Sequence, residues 1–85
     1  MEEEAKEWFC YMVRCRDGTL YTGVATDPRE RVKKHNWAVG AKFTAARRPV
    51  ELIWSEKFPD YRLARKREAE IKSWARVKKL RLAEQ

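Results

Sequence analysis

Two tyrosines stand ten positions apart, Tyr11 and Tyr21, the second opening a Tyr21-Thr22-Gly23 triplet, and Arg31 and His35 follow four residues from one another. A phenol can orient a water and take its proton, a guanidinium steadies phosphoryl oxygens through its planar fork, and an imidazole can position either a water or a phosphate. Glycine at 23 lets another group approach the backbone closely. That set of residues can handle a phosphodiester, provided the chain brings them to one place.

The tyrosines must enter from strands. Trp8 to Cys15 is an aromatic and apolar run of strand composition, Thr19 to Ala25 is its partner, and Asp17-Gly18 between them is a strong hairpin signal. The loop length decides the site. A two-residue loop of Asp17-Gly18 pairs Tyr11 with Val24 and Arg14 with Tyr21, which sends the phenols to opposite faces. A three-residue loop of Arg16-Asp17-Gly18, with Gly18 left-handed, sets Tyr11 against Gly23 and Tyr21 against Val13. Both phenols then share a face as diagonal neighbours about 7 to 8 Å apart at the backbone, so a shared site requires this second register.

Asp27-Pro28-Arg29-Glu30 starts a helix running to about Asn36, with Asp27 as cap, Pro28 in the first turn and Glu30 placed to reach back. Arg31 and His35 fall on one face of it, with Val32 beside them to pack on the sheet. By residue type alone this is either a solvated basic face or a phosphate-handling pair. Trp37 to Arg48 reads as a loop around Gly40, where Lys42, Arg47 and Arg48 either meet phosphates or are simply solvated. Val50 to Phe58 is a third strand, Val50, Leu52 and Trp54 alternating with Glu51, Ile53 and Ser55. Asp60 caps a basic helix from Tyr61 to about Trp74, and Ala75 to Leu82 either continues it or forms a short helix after a bend. On that helix Ala64, Ile71 and Ala75 form a stripe that includes Glu68. A carboxylate there must be ion-paired, for which Arg65 and Lys72 are in range, or bound to a metal. Trp8, Trp37, Trp54 and Trp74 are read mainly as core, with Trp37 free to lie exposed and stack on a base.

The chain has 85 residues, which suits one domain (8–85) behind a polar, acidic and frayed N-terminus (1–7). The formal net charge is +7, and setting aside Met1 to Glu7, with four Glu and one Lys, leaves 19 basic against 9 acidic residues, or +10. A body this basic favours a polyanion, nucleic acid being the commonest. Cys10 and Cys15, roughly 16 Å apart along an extended strand, are too far apart for a disulfide, and neither they nor the single His35 has zinc-site spacing. With no apolar run of transmembrane length and no signal-like start, the expected location is the cytoplasm.

Phe9-Cys10-Tyr11 and Tyr21-Thr22-Gly23 resemble the two triplets of the GIY-YIG nuclease family, with Tyr11, Tyr21 and Gly23 matching letter for letter. The order continues through Asp27, Arg31, His35-Asn36, Gly40-Ala41-Lys42, Arg48-Pro49-Val50-Glu51-Leu52 and Arg67-Glu68-Ala69-Glu70-Ile71-Lys72, nearly the whole chain after Lys6. It is most similar to the small stand-alone, uncharacterised subgroup. The resemblance implies an α/β fold of the α+β kind: a three-stranded antiparallel sheet with flanking helices in the order β-β-α-β-α, with a possible last helix.

By resemblance the activity is metal-dependent endonucleolytic hydrolysis of a nucleic-acid phosphodiester, DNA ahead of RNA, in repair or recombination. Glu68, four residues after Ala64 as the family's metal-binding Glu is, would hold one Mg²⁺ or Mn²⁺ together with the scissile phosphate. Arg31 would steady the phosphoryl oxygens, Tyr21 or Tyr11 would take the proton of the attacking water, and His35 would position a water or phosphate. Lys42, Arg47, Arg48 and Lys72 are the candidate backbone contacts. Val24-Ala25 stands where some members carry a lysine, and no late Asn follows the third strand. The rival readings are a non-catalytic nucleic-acid-binding module and an interaction subunit, and in either case a protein partner would supply sequence specificity.

Overall fold

The computed structural model describes residues 7–37 and 47–84. Strands β1 (Trp8–Cys15) and β2 (Leu20–Ala25) form a hairpin closed by Arg16-Asp17-Gly18. Gly18 has φ 87°, in the left-handed region where a side chain would be strained, and its N–H donates to Cys15 O at 2.9 Å. Asp17 Oδ1 accepts from the backbone N–H of Thr19 (3.0 Å) and from its hydroxyl (2.6 Å), which fixes the turn. The three-residue loop sets the register: Tyr11 pairs with Gly23 and Val13 with Tyr21. Both phenols therefore project from one face.

Helix α1 (Pro28–Asn36) follows, with the Asp27 carboxylate accepting from Glu30 N–H and Pro28 in the first turn. Strand β3 (Val50–Phe58) pairs antiparallel with the far side of β1, giving the sheet order β2-β1-β3. The strict alternation expected along β3 breaks at Ile53. Met12 pairs with Trp54 but Val13 pairs with Leu52, so Ile53 is the extra residue of a bulge, and Ile53 and Trp54 pack in the same cluster.

Helix α2 (Tyr61–Lys72), capped by Asp60, stops two residues short of the expected Trp74, and α3 (Arg76–Ala83) is a separate element. The Ser73 hydroxyl donates to Glu70 O at 2.6 Å, satisfying a carbonyl at the helix end. Ala75 is exposed in the bend and leaves the predicted stripe, whose buried members are Ala64, Glu68 and Ile71.

Each face of the sheet has its own apolar cluster. Tyr11, Val13, Cys15, Ala25 and Val50 pack with Tyr21, Val32 and Leu52, on the α1 side. Cys10 and Met12 pack with Ile71 of α2, flanked by Ile53, Trp54, Trp74 and Leu82. Cys10 and Cys15, an odd number of residues apart, are free thiols in different clusters. No tryptophan is fully buried: Trp8, Trp54 and Trp74 are half-buried and Trp37 is 79 % exposed. Arg67 partly explains this, since its guanidinium stacks over both Trp54 (5.9 Å) and Trp74 (5.3 Å) and does part of the covering. Among the described residues no helix is long and apolar enough to cross a membrane.

Candidate active site

The Tyr11 ring lies flat across Gly23. A Cβ at position 23 would stand 2.8 Å from Tyr11 Oη and 3.0 Å from Cζ, so the absence of a side chain is what admits the ring. From the same face Tyr21 packs beside it at 6.4 Å between centroids. His35, delivered by the last turn of α1, meets both: its Nε2 is 3.2 Å from Tyr11 Oη, and its ring sits edge-on to Tyr21 at 5.6 Å. Tyr11 and His35 are each 1 % exposed, whereas Tyr21 is only partly buried and Arg31 is exposed.

Burial and charge set the protonation of this pair. Loss of solvation, with Tyr21 close by, pushes the Tyr11 phenol up to about 12, although the charge and hydrogen-bonding reach of Arg31 pull the other way. To act as a base near neutrality Tyr11 would need its phenol depressed, and burial outweighs the pull of Arg31 in that direction. His35 is held below its ordinary 6.5, first by burial and then by the Arg31 charge. Near neutrality the two therefore meet as neutral phenol and neutral imidazole.

Asn36 holds α1 at this depth. Its Oδ1 accepts from Val50 N–H at 2.7 Å and its amide donates to Val50 O at 3.2 Å, the pairing a neighbouring strand would make. Val50 pairs with Cys15, so the end of α1, the start of β3 and the hairpin turn share one end of the sheet. The candidate phosphate contacts Arg47 and Arg48 lie there too. Arg47 is ion-paired with Asp17 at 3.1 Å and its carbonyl accepts from Arg16 N–H, while Arg48 Nη1 donates to Asn36 O at 3.5 Å. Lys42 and Gly40 lie outside the described residues. The clamp by Asn36 was not legible beforehand, because a lone amide before a tryptophan carries no local signal for a partner 14 residues away.

Glu68 approaches from α2. It is 8 % exposed, with Oε1 2.9 Å from Arg65 Nε and Oε2 3.0 Å from Lys72 Nζ, so the ion pairing allowed by the helical spacing is present. The Lys72 ammonium is also 5.8 Å from the centroid of the Tyr21 ring, and the Glu68 charge is felt at Tyr11. Edge strand β2 is thus where the phenol face and the carboxylate helix meet. Tyr11, Tyr21 and His35 touch directly, Arg31 acts on Tyr11 and His35, and Lys72 links Tyr21 to Glu68.

A hard divalent cation takes oxygen ligands, and Mg²⁺ in particular is commonly held by one or two carboxylates with substrate phosphates. Among the described residues no three His, Cys, Asp or Glu gather into a metal cluster. Of the site residues named above, Glu68 is the carboxylate donor, and a single carboxylate fits an ion completed by phosphate and water and does not fit a protein cage. A hollow of about 460 Å³ between Phe9, Pro28, Arg29 and Leu52 contains none of these groups. A smaller one of about 90 Å³ runs past Arg31 and Lys34.

Comparison with known proteins converges on one group. A sequence model described as the GIY-YIG catalytic domain matches residues 7–81. A UPF0213 protein of Staphylococcus aureus (strain Mu3) is 54 % identical over 74 residues, spanning 87 % of this chain and 90 % of its own. Two solution NMR structures share the fold: the UPF0213 protein of Bacillus halodurans (38 % identity, 92 % of this chain and 83 % of that one, TM-score 0.59) and a protein of E. faecalis (42 %, 93 % and 83 %, TM-score 0.60).

Proposed function

Since the chain belongs to the GIY-YIG family, a nuclease-like family whose small single-domain UPF0213 members it matches along most of its length, we propose that it is a metal-dependent endonuclease acting on DNA. The observation that carries this is the contact of Tyr11, Tyr21 and His35 on one sheet face with Arg31 beside them and Glu68 linked to them through Lys72.

In this reading water attacks phosphorus in line, a P–O bond forms to the water oxygen, and the bond to the leaving 3′-oxygen breaks. Arg31, exposed beside the phenols, binds the phosphoryl oxygens and orients them. Tyr21, the phenol with access to solvent, takes the proton of the water. Tyr11 remains protonated and donates to His35 Nε2, and this buried pair fixes the floor on which Tyr21 and the phosphate sit. A divalent ion held by Glu68 and the phosphate would offset the charge that builds on the leaving oxygen. Repair or recombination suits a strongly basic body, because branched or nicked DNA is recognised by its shape and its phosphates.

The engagement of both Glu68 oxygens by Arg65 and Lys72 favours a second reading, a nucleic-acid-binding module that no longer cuts. One experiment separates the two: branched, nicked and single-stranded DNA and RNA incubated with Mg²⁺ or Mn²⁺ or with chelator. Cleavage by wild type that requires the metal and disappears in Glu68→Gln, with binding intact or slightly stronger, supports the endonuclease. Binding without cleavage on every substrate supports the module, and cutting that survives both chelator and Glu68→Gln refutes the single-metal scheme.

A further inference from the structure

We propose that Arg65 and Lys72 are a removable ionic cap on Glu68, and that phosphate oxygens of the bound nucleic acid draw the two cations away so that the carboxylate becomes available to a divalent ion only after substrate has docked. This rests on the reading of Glu68 as the metal ligand and concerns the order in which its partners arrive. In the free protein Arg65 Nε and Lys72 Nζ each take a different Glu68 oxygen, at 2.9 and 3.0 Å, so both coordinating atoms are occupied by positive charge. A divalent cation entering there meets two like charges at ion-pair distance.

The three side chains differ in their freedom. The Glu68 side chain is nearly buried in the α2 stripe, while those of Arg65 and Lys72 are 55 % and 51 % exposed, with their stems at the surface. Only the carboxylate is buried, and the two cations reach it from the surface, so they can trade it for another anion without leaving solvent. Each cation also has a second resting place already beside it. Arg65 Nη1 donates to Tyr61 Oη at 2.9 Å and its guanidinium lies 5.8 Å from the Tyr61 ring, and Lys72 lies 5.8 Å from the Tyr21 ring. Lys72 can therefore swing toward the phenol that faces the phosphate without losing all its contacts. A carboxylate capped by arginine and lysine in the free state and released to the metal as phosphate takes the two cations would keep a nearly buried acid from binding metal ahead of the substrate.

The test uses the 85-residue chain and Mn²⁺ as probe. Calorimetry on the free protein should show weak Mn²⁺ binding by wild type and binding tighter by about tenfold or more in Arg65→Met/Lys72→Met, a gain that Glu68→Gln in the same background removes. Equal Mn²⁺ affinity in wild type and the double variant overturns the cap. Because the double variant leaves Glu68 without its partners and can lose stability, a second measurement uses wild type alone: the Glu68 carboxyl ¹³C resonance, in chelator, as a short DNA duplex is added. It should move as the cations leave, and a resonance that stays put while DNA binds overturns the cap. A protein that binds no DNA in this assay defeats the functional reading instead, and the Mn²⁺ comparison still decides the cap.

Discussion

Replacing Gly23 with alanine would ask a buried ring to move, since the new methyl would stand 2.8 Å from Tyr11 Oη and the ring is only 1 % exposed. Gly23→Ala should cost about 1 to 3 kcal/mol in urea unfolding, as overpacking of a dense core does, and should perturb the His35 ring resonances through the Tyr11 bond. The same pair gives a pH signature. The His35 value is lower folded than unfolded, so its contribution to stability is complete above about pH 6.5 and is lost as pH falls through the folded value, where the unfolded chain takes up the proton first. The Tyr11 value is raised to about 12, so its contribution is complete below 10 and is lost as pH rises through about 12. Denaturant midpoints measured across pH should fall at both ends, with His35→Gln flattening the acid limb and Tyr11→Phe the alkaline one.

At the level of elements, α1 is pinned at both ends, by the Asp27 cap and by the Asn36 bridge to Val50. Asn36→Ala would strand the Val50 N–H and C=O, and a loss of about 1 to 3 kcal/mol is expected in the same assay, with the His35–Tyr11 bond weakened because His35 precedes the clamp. Asp27→Ala should cost nearer 1 kcal/mol, being a single exposed cap bond. The hairpin and the N-terminal cap of α1 could be read from the sequence because Asp-Gly and Asp-Pro act through their own neighbours, whereas the three-residue loop was one of two registers the sequence allowed and is fixed by the strand pairing. The bulge at Ile53 could not, since it is set by how β3 matches β1 across the sheet and not by anything within Val50–Phe58. The order of the phenols was open for a similar reason: Tyr11 and Tyr21 are alike in residue type, and only packing makes one of them 1 % exposed.

Across the whole molecule, the chain without its first seven residues carries +10 and presents Trp37 and many Lys and Arg to solvent. Nucleic-acid affinity should therefore fall steeply with salt. For about four to six phosphate contacts the slope of log K against log salt is expected near −4 to −5, and a flat dependence would point away from phosphate as the recognised group. Trp37→Ala should leave that slope unchanged while weakening binding to unpaired strands, by about 1 to 3 kcal/mol if the indole stacks on a base. Direct titration by fluorescence anisotropy across a salt series reads both.

Synthesis runs from Met1 toward Gln85, so Tyr11, Tyr21, Arg31 and His35 leave the ribosome well before Glu68 does. A nascent chain that has reached only Phe58 owns all three strands and α1, yet it lacks α2, and with it the cover for the Cys10 and Met12 face of the sheet. If Glu68 holds the metal, such a chain cannot cut anything. On that reading the carboxylate ligand sits on the helix that covers this face of the sheet, so cleavage would have to wait until α2 has docked, and copies that end before it would be inert bystanders in a cell full of nucleic acid.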